Sequence, residues 1–297
     1  MLAHKRVHGT ISHEKPTGTS APAIMIINSG GADWHAISCA KEEAVPLAPG
    51  AEPYSHDGNN IGIVVSHGFT GQPRAIKDWA IALGEAGYTV RAPRLPGHGT
   101  TWQEMNKTVW QDWYAEIERN YRELAAQCDT VFVMGLSMGG SLALRLAEEK
   151  GDGIAGMVLV NPAVHSERID RHALPILRLI IPSFPGIRND IKKPDQDEGA
   201  YARIPLRAAH SLQELWRAIK SDIDKVTQPI LIYRSIDDHV VEPSNTAWIL
   251  ANAASKDKEE ITLADSYHVA TIDNDAQTIF DGSIAFVQRL TTPPQEA

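Results

Sequence analysis

The sequence predicts an α/β fold: a mostly parallel central sheet, flanked by helices on both faces and interrupted by one inserted cap. Three observations carry this. From Ile61 onward, short apolar β-branched runs alternate with longer segments whose apolar residues recur at helical spacing, the pattern of repeated strand–helix units. One of these strands, Thr130 to Met134, runs straight into a helical pattern through Gly135-Leu136-Ser137-Met138-Gly139-Gly140. The alternation then stops between Asn161 and Pro229, where Pro175, Pro182, Pro185, Pro194 and Pro205 punctuate the chain.

The elements follow in order. Ile61 to Val65 reads as a buried strand. Ile76 to Gly87 reads as a helix, with Ile76, Trp79, Ala80 and Leu83 on one stripe and Gly87 as its stop. Tyr88 to Val90 is a strand. Val109 to Ala126 is a helix bearing Trp110, Trp113, Ile117, Tyr121 and Leu124. Val131 to Met134 and Gly156 to Val160 are strands around the helix Ser141 to Lys150. Pro229 to Tyr233 and Ile261 to Leu263 are the last strands, each followed by a helix, Ser244 to Ala254 and Asp273 to Leu290. No sheet strand is evident in the proline-punctuated insertion. Placed after a strand end, about 163–226, with an apolar patch from Leu174 to Ile181 and an amphipathic helix near Leu212 to Ile223, it reads as a cap. Residues 1–55 have little periodicity and read as a poorly ordered extension, with Ile24 to Ile27 as one short candidate strand. The α/β core is therefore expected over 56–290, and 291–297 as a frayed tail.

Composition narrows the function. At 297 residues and 43% apolar content the chain can bury a large core, and a net charge of -9 with no Lys/Arg run argues against nucleic acid. Cys39 and Cys128 make neither a disulfide framework nor a metal-ligand spacing, and Cys128 is expected to be a small buried residue. No apolar run reaches bilayer length. The apolar stretch from Ala23 to Ile27 is too short and too late for a signal peptide, so a cytoplasmic setting is expected.

Glycine, any residue, serine, any residue, glycine between a strand and a helix is the pattern of a nucleophile elbow. The tight turn strains the serine backbone, bulky neighbours would clash there, and the hydroxyl is presented at a helix N-terminus. A serine needs a base, and the base an orienting carboxylate. With the chain order Ser, Asp or Glu, His, the candidates are Ser137, an acid in the turn Asp237-Asp238 after the strand ending at Tyr233, and His268 after the last strand. Asp237 is the competing acid and is expected to be exposed. Asp273 is a rival by its nearness to His268, expected instead to cap the C-terminal helix. Among twelve histidines, His67 and His98 precede the nucleophile, and His239 shares the turn of the aspartates. An oxyanion needs two N–H donors, expected from Met138 and from Phe69 in the loop His67-Gly68-Phe69-Thr70-Gly71. Neither a phosphate loop nor a dinucleotide fingerprint is present, and His98 has no second ligand at metal spacing. No cofactor or metal is expected.

These segments, with Gly97-His98-Gly99, Asp238-His239-Val240-Val241 and Ser266-Tyr267-His268-Val269-Ala270-Thr271, resemble the bacterial monoacylglycerol lipases and their carboxylesterase relatives over residues 55–290. That resemblance implies an α/β-hydrolase fold, with Ser137, Asp238 and His268 as the triad and Phe69 and Met138 as oxyanion donors. It favours Asp238 over Asp237 by register with the following valines and Pro243. It extends to the cap segments Pro185 to Lys192 and Glu198 to Tyr201, where it implies that Ile187 and Glu198 line the substrate pocket, the glutamate facing glycerol hydroxyls. The implied function is serine-dependent hydrolysis of a small lipid ester, a monoacylglycerol first and a short acyl ester second. A non-catalytic binding protein on the same fold is the reading from another class. The apolar patch Leu174 to Ile181 either touches a lipid surface, holds the acyl chain, or packs the cap onto the core.

Overall fold

The computed structural model describes residues 45–168 and 172–292. The chain divides into two units, Met1–Glu43 and Ala44–Ala297, and all described residues belong to the second. The expected strand at Ile24 to Ile27 and the last residues of the tail lie outside the described residues.

Seven strands form the central sheet: β1 (Tyr54–His56), β2 (Ile61–Ser66), β3 (Thr89–Ala92), β4 (Thr130–Leu136), β5 (Gly156–Val160), β8 (Ile230–Ser235) and β9 (Lys258–Leu263), in the order β1-β3-β2-β4-β5-β8-β9. β1 pairs antiparallel with β3, and every other pair is parallel. The period of two along each strand sorts its side chains between two cores. Val131 and Val133 face the layer of α3 (Trp110–Ala125), α4 (Met138–Lys150), α6 (Leu206–Asp222) and α7 (Ser244–Asn252), where Trp113, Leu142, Leu215 and Ile249 are fully buried. Phe132 and Met134 face α1 (Lys77–Glu85) and α8 (Ala276–Thr291), where Trp79, Leu83 and Ile279 are fully buried. Trp79 Nε1 donates to Ser283 Oγ at 3.1 Å, which ties α1 to α8 without leaving the indole N–H unpaired in the core.

Several expectations shift. The ordered domain begins before residue 56: Ala51 is fully buried, Ala48 N–H donates to Gly99 O at 2.9 Å, and Gln72 Nε2 donates to Pro49 O at 2.9 Å. This entry segment is proline-rich and aperiodic, so its anchoring leaves no sequence pattern. A short helix, α2 (Trp102–Met105), precedes α3, capped by Thr101 Oγ1 accepting Glu104 N–H. α4 starts at Met138, immediately after the serine, rather than at Ser141. Cys128 is half-buried rather than buried.

The insertion also contains strands. β6 (Ser183–Pro185) and β7 (Arg203–Pro205) pair antiparallel in a sheet of their own, after α5 (Leu174–Ile180). Its last helix, α6, is built into the main helical layer, because the stripe Leu212, Leu215 and Ile219 buries into the core shared with α4.

Candidate active site

The carboxyl ends of β2, β4, β5, β8 and β9 converge on one edge of the sheet, where ligands bind in open α/β sheets. Ser137 stands there between β4 and α4 with φ 56° and ψ −116°, a conformation rarely tolerated by a residue with a side chain. Its surroundings impose it. Ser137 N–H donates to Val160 O at 2.9 Å, while its carbonyl accepts N–H groups of Gly140, Ser141 and Ala163. A methyl group at Gly135 would collide with the main chain of Gly139, and one at Gly139 with the Ser66 carbonyl. Both positions must be glycine for the turn to close.

The loop after β2 lies directly beside the serine. A methyl group at Gly68 would stand 3.3 Å from Ser137 Cβ and 3.8 Å from Ser137 Oγ. His67, fully buried, holds this loop from behind: Nδ1–H donates to Gly68 O at 3.0 Å, and Nε2 accepts Leu95 N–H at 3.2 Å. Burial lowers its pKa to about 4, so it stays neutral and structural at neutral pH. Thr70 takes a positive φ of 61° at the bend. Phe69 packs edge-on against Trp113, ring centroids 5.9 Å apart. Among the described residues, neither Phe69 N–H nor Met138 N–H donates to a protein acceptor. Met138 directly follows the serine, and Phe69 directly follows Gly68, the loop residue beside it.

Asp238 and His268 meet across the same edge. His268 Nδ1 lies 2.8 Å from Asp238 Oδ2, and the two side chains are 9% and 4% exposed. Asp238 Oδ1 accepts Val240 N–H and Val241 N–H, each at 2.8 Å, so its turn fixes the carboxylate. Asp237 is exposed. Burial pushes the Asp238 pKa upward, but the charge and hydrogen bond of His268 and the two valine amides hold it below the usual carboxylate value. For His268, burial pulls downward, and Asp238, joined by the charges of Glu198 and Asp190, outweighs it, so the pKa is raised. With Nδ1–H given to Asp238, Nε2 is left as the basic nitrogen.

Sequence reasoning missed three residues that hold the histidine loop. Asn161, at positive φ (45°) after β5, donates through Nδ2 to His268 O at 2.8 Å and Ser235 Oγ at 3.0 Å, and accepts Ser235 N–H. An asparagine directly after an apolar strand run is its only sequence signal. Asp190, in the cap, accepts the His268 main-chain N–H. Asp273 does not cap α8, whose N-cap is Asp275; its buried carboxylate accepts the N–H groups of Lys192, Lys193 and Tyr267 instead. Lys192 and Lys193 are distant in sequence and Tyr267 is in its own loop, and their four-fold claim on the carboxylate, counting Asn274 N–H, outweighs a helix cap.

The cap supplies the remaining candidates. Glu198 is partly buried and locked to Asn189 by reciprocal bonds, Glu198 Oε1 accepting Asn189 N–H at 2.7 Å and Asn189 Oδ1 accepting Glu198 N–H at 3.2 Å. Its other oxygen reaches toward the Gly68–Gly71 loop, 3.7 Å from where a Gly71 methyl would stand. Burial raises the Glu198 pKa, against the charge of nearby His268. Ile187 follows β6 and is 54% exposed.

The comparisons with known proteins agree with this architecture. Residues 59–275 match the family model described as "Hydrolase_4: Serine aminopeptidase, S33". The chain is 40% identical over 249 residues to the thermostable monoacylglycerol lipase of Bacillus sp. (strain H-257), covering 82% of this chain and 97% of that one. This protein belongs to the bacterial monoacylglycerol lipase and carboxylesterase family of α/β-hydrolases. Within that family it is also 24% identical over 245 residues to a carboxylesterase of Bacillus subtilis (strain 168), covering 80% of this chain and 97% of the relative. A solved structure from work on two metagenome-derived lipolytic enzymes, LipS and LipT, superposes with a TM-score of 0.80 at 40% identity, over 82% of this chain and 100% of that chain. Among the described residues of this family member, no helix is long and apolar enough to cross a membrane.

Proposed function

We propose that this α/β-hydrolase cleaves monoacylglycerols to glycerol and fatty acid, with Ser137, Asp238 and His268 as its triad. The observation that carries the reading is the buried Asp238–His268 hydrogen bond of 2.8 Å on the sheet edge that presents Ser137 at its strained elbow. His268 Nε2 takes the proton of Ser137 Oγ as the oxygen attacks the ester carbonyl. Phe69 N–H and Met138 N–H receive the oxyanion. The C–O bond to glycerol breaks, His268 returns the proton to the leaving alkoxide, and an acyl-serine remains. Water, deprotonated by the same nitrogen, attacks the acyl carbonyl, the acyl C–O bond to Ser137 breaks as His268 returns the proton to Ser137 Oγ, and the fatty acid leaves.

Glu198 and Ile187 are assigned to the substrate pocket. A partly buried carboxylate beside the oxyanion loop suits the two free hydroxyls of a monoacylglycerol, and an ester lacking them gives its second oxygen, Oε2, no hydroxyl to accept. The cap, about 163–226 with α6 shared with the core, carries Ile176, Leu179 and Ile180 at 65%, 73% and 75% exposure. Such a patch fits transient contact with a lipid surface from a protein working in the cytoplasm.

Hydrolysis of monolauroylglycerol, dilauroylglycerol and p-nitrophenyl butyrate, with Ser137→Ala as the blank, tests the proposal. Preference for the monoacylglycerol, lost in Glu198→Ala by about 10- to 100-fold relative to the nitrophenyl ester, is the expected result. Equal effects of Glu198→Ala on both esters overturn the glycerol assignment, and preference for the short ester makes the protein a general carboxylesterase. Failure of a fluorophosphonate to label Ser137 moves it to the binding proteins.

A further inference from the structure

The cap segment Ile187 to Lys193 crosses both loops that carry the expected base and acid, and one side chain touches each. Asp190 Oδ2 accepts the main-chain N–H of His268 at 3.1 Å and that of His239 at 3.2 Å. Its Oδ1 lies 2.8 Å from His239 Nδ1, and its carbonyl accepts Val269 N–H at 3.1 Å. His239 is the chain neighbour of Asp238, and its ring packs edge-on against Tyr267, 4.6 Å between centroids, next to His268. The Asp190 side chain is only 11% exposed. One carboxylate from the cap thus joins the main chain beside Asp238 to the main chain of His268. Asp238 and His268 have short side chains, so the separation of these two main chains governs whether Oδ2 and Nδ1 meet at hydrogen-bond distance.

We propose that Asp190 is a positioning residue for the Asp238–His268 pair, a cap carboxylate that sets the spacing between the acid loop and the base loop. This rests on the reading that Ser137, Asp238 and His268 act together. Asn161 holds the His268 carbonyl and Asp273 holds the Tyr267 amide, but the His268 amide itself is given to Asp190. Hydrogen bonds from N–H groups to a carboxylate are stronger than neutral ones, which makes Asp190 a firm anchor for both loops. The same charge faces His268 together with Asp238 and Glu198 and favours the imidazolium that forms during acylation. Because Asp190 is tied to the cap segment that bears Ile187 and Asn189, a correctly seated cap and a correctly spaced acid–base pair come from one contact.

The test is turnover of p-nitrophenyl butyrate by Asp190→Ala and Asp190→Asn, expressed per site titrated with a fluorophosphonate and followed as a function of pH. Misplacing a base by about 1 Å from a site outside the chemistry costs about 100-fold, so Asp190→Ala is expected to lower kcat per site by about 30- to 100-fold with KM changed less than about threefold. Asp190→Asn keeps an acceptor oxygen and is expected to recover most of kcat. Its acid limb moves to lower pH, because removing a negative charge lowers the His268 pKa and the neutral base persists further into acid. Should Asp190→Ala not fold, the limb and kcat of Asp190→Asn decide. Unchanged kcat per site and unchanged acid limbs, with only a lower Tm, overturn the inference. Wild-type protein that is neither labelled nor active overturns the hydrolase reading and this inference with it, whereas labelled, active wild type with unaffected variants overturns this inference alone.

Discussion

The proposed nucleophile, Ser137, and the proposed base, His268, are held by different means. Ser137 is held by its own neighbourhood: the strand before it, the helix after it, and glycines at 135 and 139 whose lack of a side chain lets the chain turn. His268 sits in a loop between β9 and α8 that has no regular structure of its own beyond one short 3-10 turn. It is held from elsewhere by Asp190, which pins the amide of His268, and Asn161, which pins its carbonyl, while Asp273 within the same loop pins the amide of Tyr267. A strained nucleophile needs steric enforcement, which close-packed backbone supplies at short range. A base that must reach its proton and keep its orientation needs directional anchoring, which buried hydrogen bonds to fixed acceptors supply.

The sharpest break in this contrast is chemical. Ser137→Ala is expected to abolish turnover, on the order of 10⁶-fold in kcat, with the fold intact by circular dichroism. Asp238→Asn comes next, at about 10⁴-fold, because the amide cannot hold His268 in the tautomer that leaves Nε2 basic. In both variants the hydrolysis of p-nitrophenyl butyrate is the measurement, and a residual rate within tenfold of wild type would contradict the assigned roles.

Structural substitutions separate Ser137 and His268 further. Gly135→Ala drives a methyl into the Gly139 main chain, where no flexible side chain can yield, and is expected to cost about 3 kcal/mol or more, read as a fall in the denaturant midpoint. Asp273→Ala leaves the amides of Lys192, Lys193 and Tyr267 without their acceptor and is expected to cost about 2–3 kcal/mol, with the loss concentrated in faster amide exchange of 190–193 and 265–275. Uniform loss of protection across the sheet in Asp273→Ala would erase the proposed distinction.

The smallest expected effect concerns pH. The acid limb of kcat/KM is expected to follow His268, whose pKa is raised above the ordinary 6.5, with activity falling as pH drops through that raised value. Glu198→Gln removes one of the negative charges that raise it, and the limb is expected to move to lower pH by a few tenths of a unit. A limb that stays in place shows that Glu198 does not act on His268.

Much of the molecule was legible in its residues. The alternation of apolar runs with amphipathic stretches predicts the α/β sheet and its helical layers, because strand and helix periods are local properties of the chain. The elbow at Ser137 is legible for the same reason: Gly135, Ser137 and Gly139 are near neighbours, and the strain and its relief lie within them. Only the tertiary structure decided how the base is held. Asp190 reaches His239 and His268 across 49 and 78 residues, and Asn161 reaches His268 across 107. Such contacts have no spacing or period, so Asp273 reads from sequence as a helix cap and Asp190 as one more acidic residue. The entry segment around Ala51, the pairing of β6 with β7 and the seating of α6 against α4 likewise came from packing rather than pattern. Local backbone preference is written residue by residue, whereas the partner of a buried carboxylate is chosen only when the chain has closed around it.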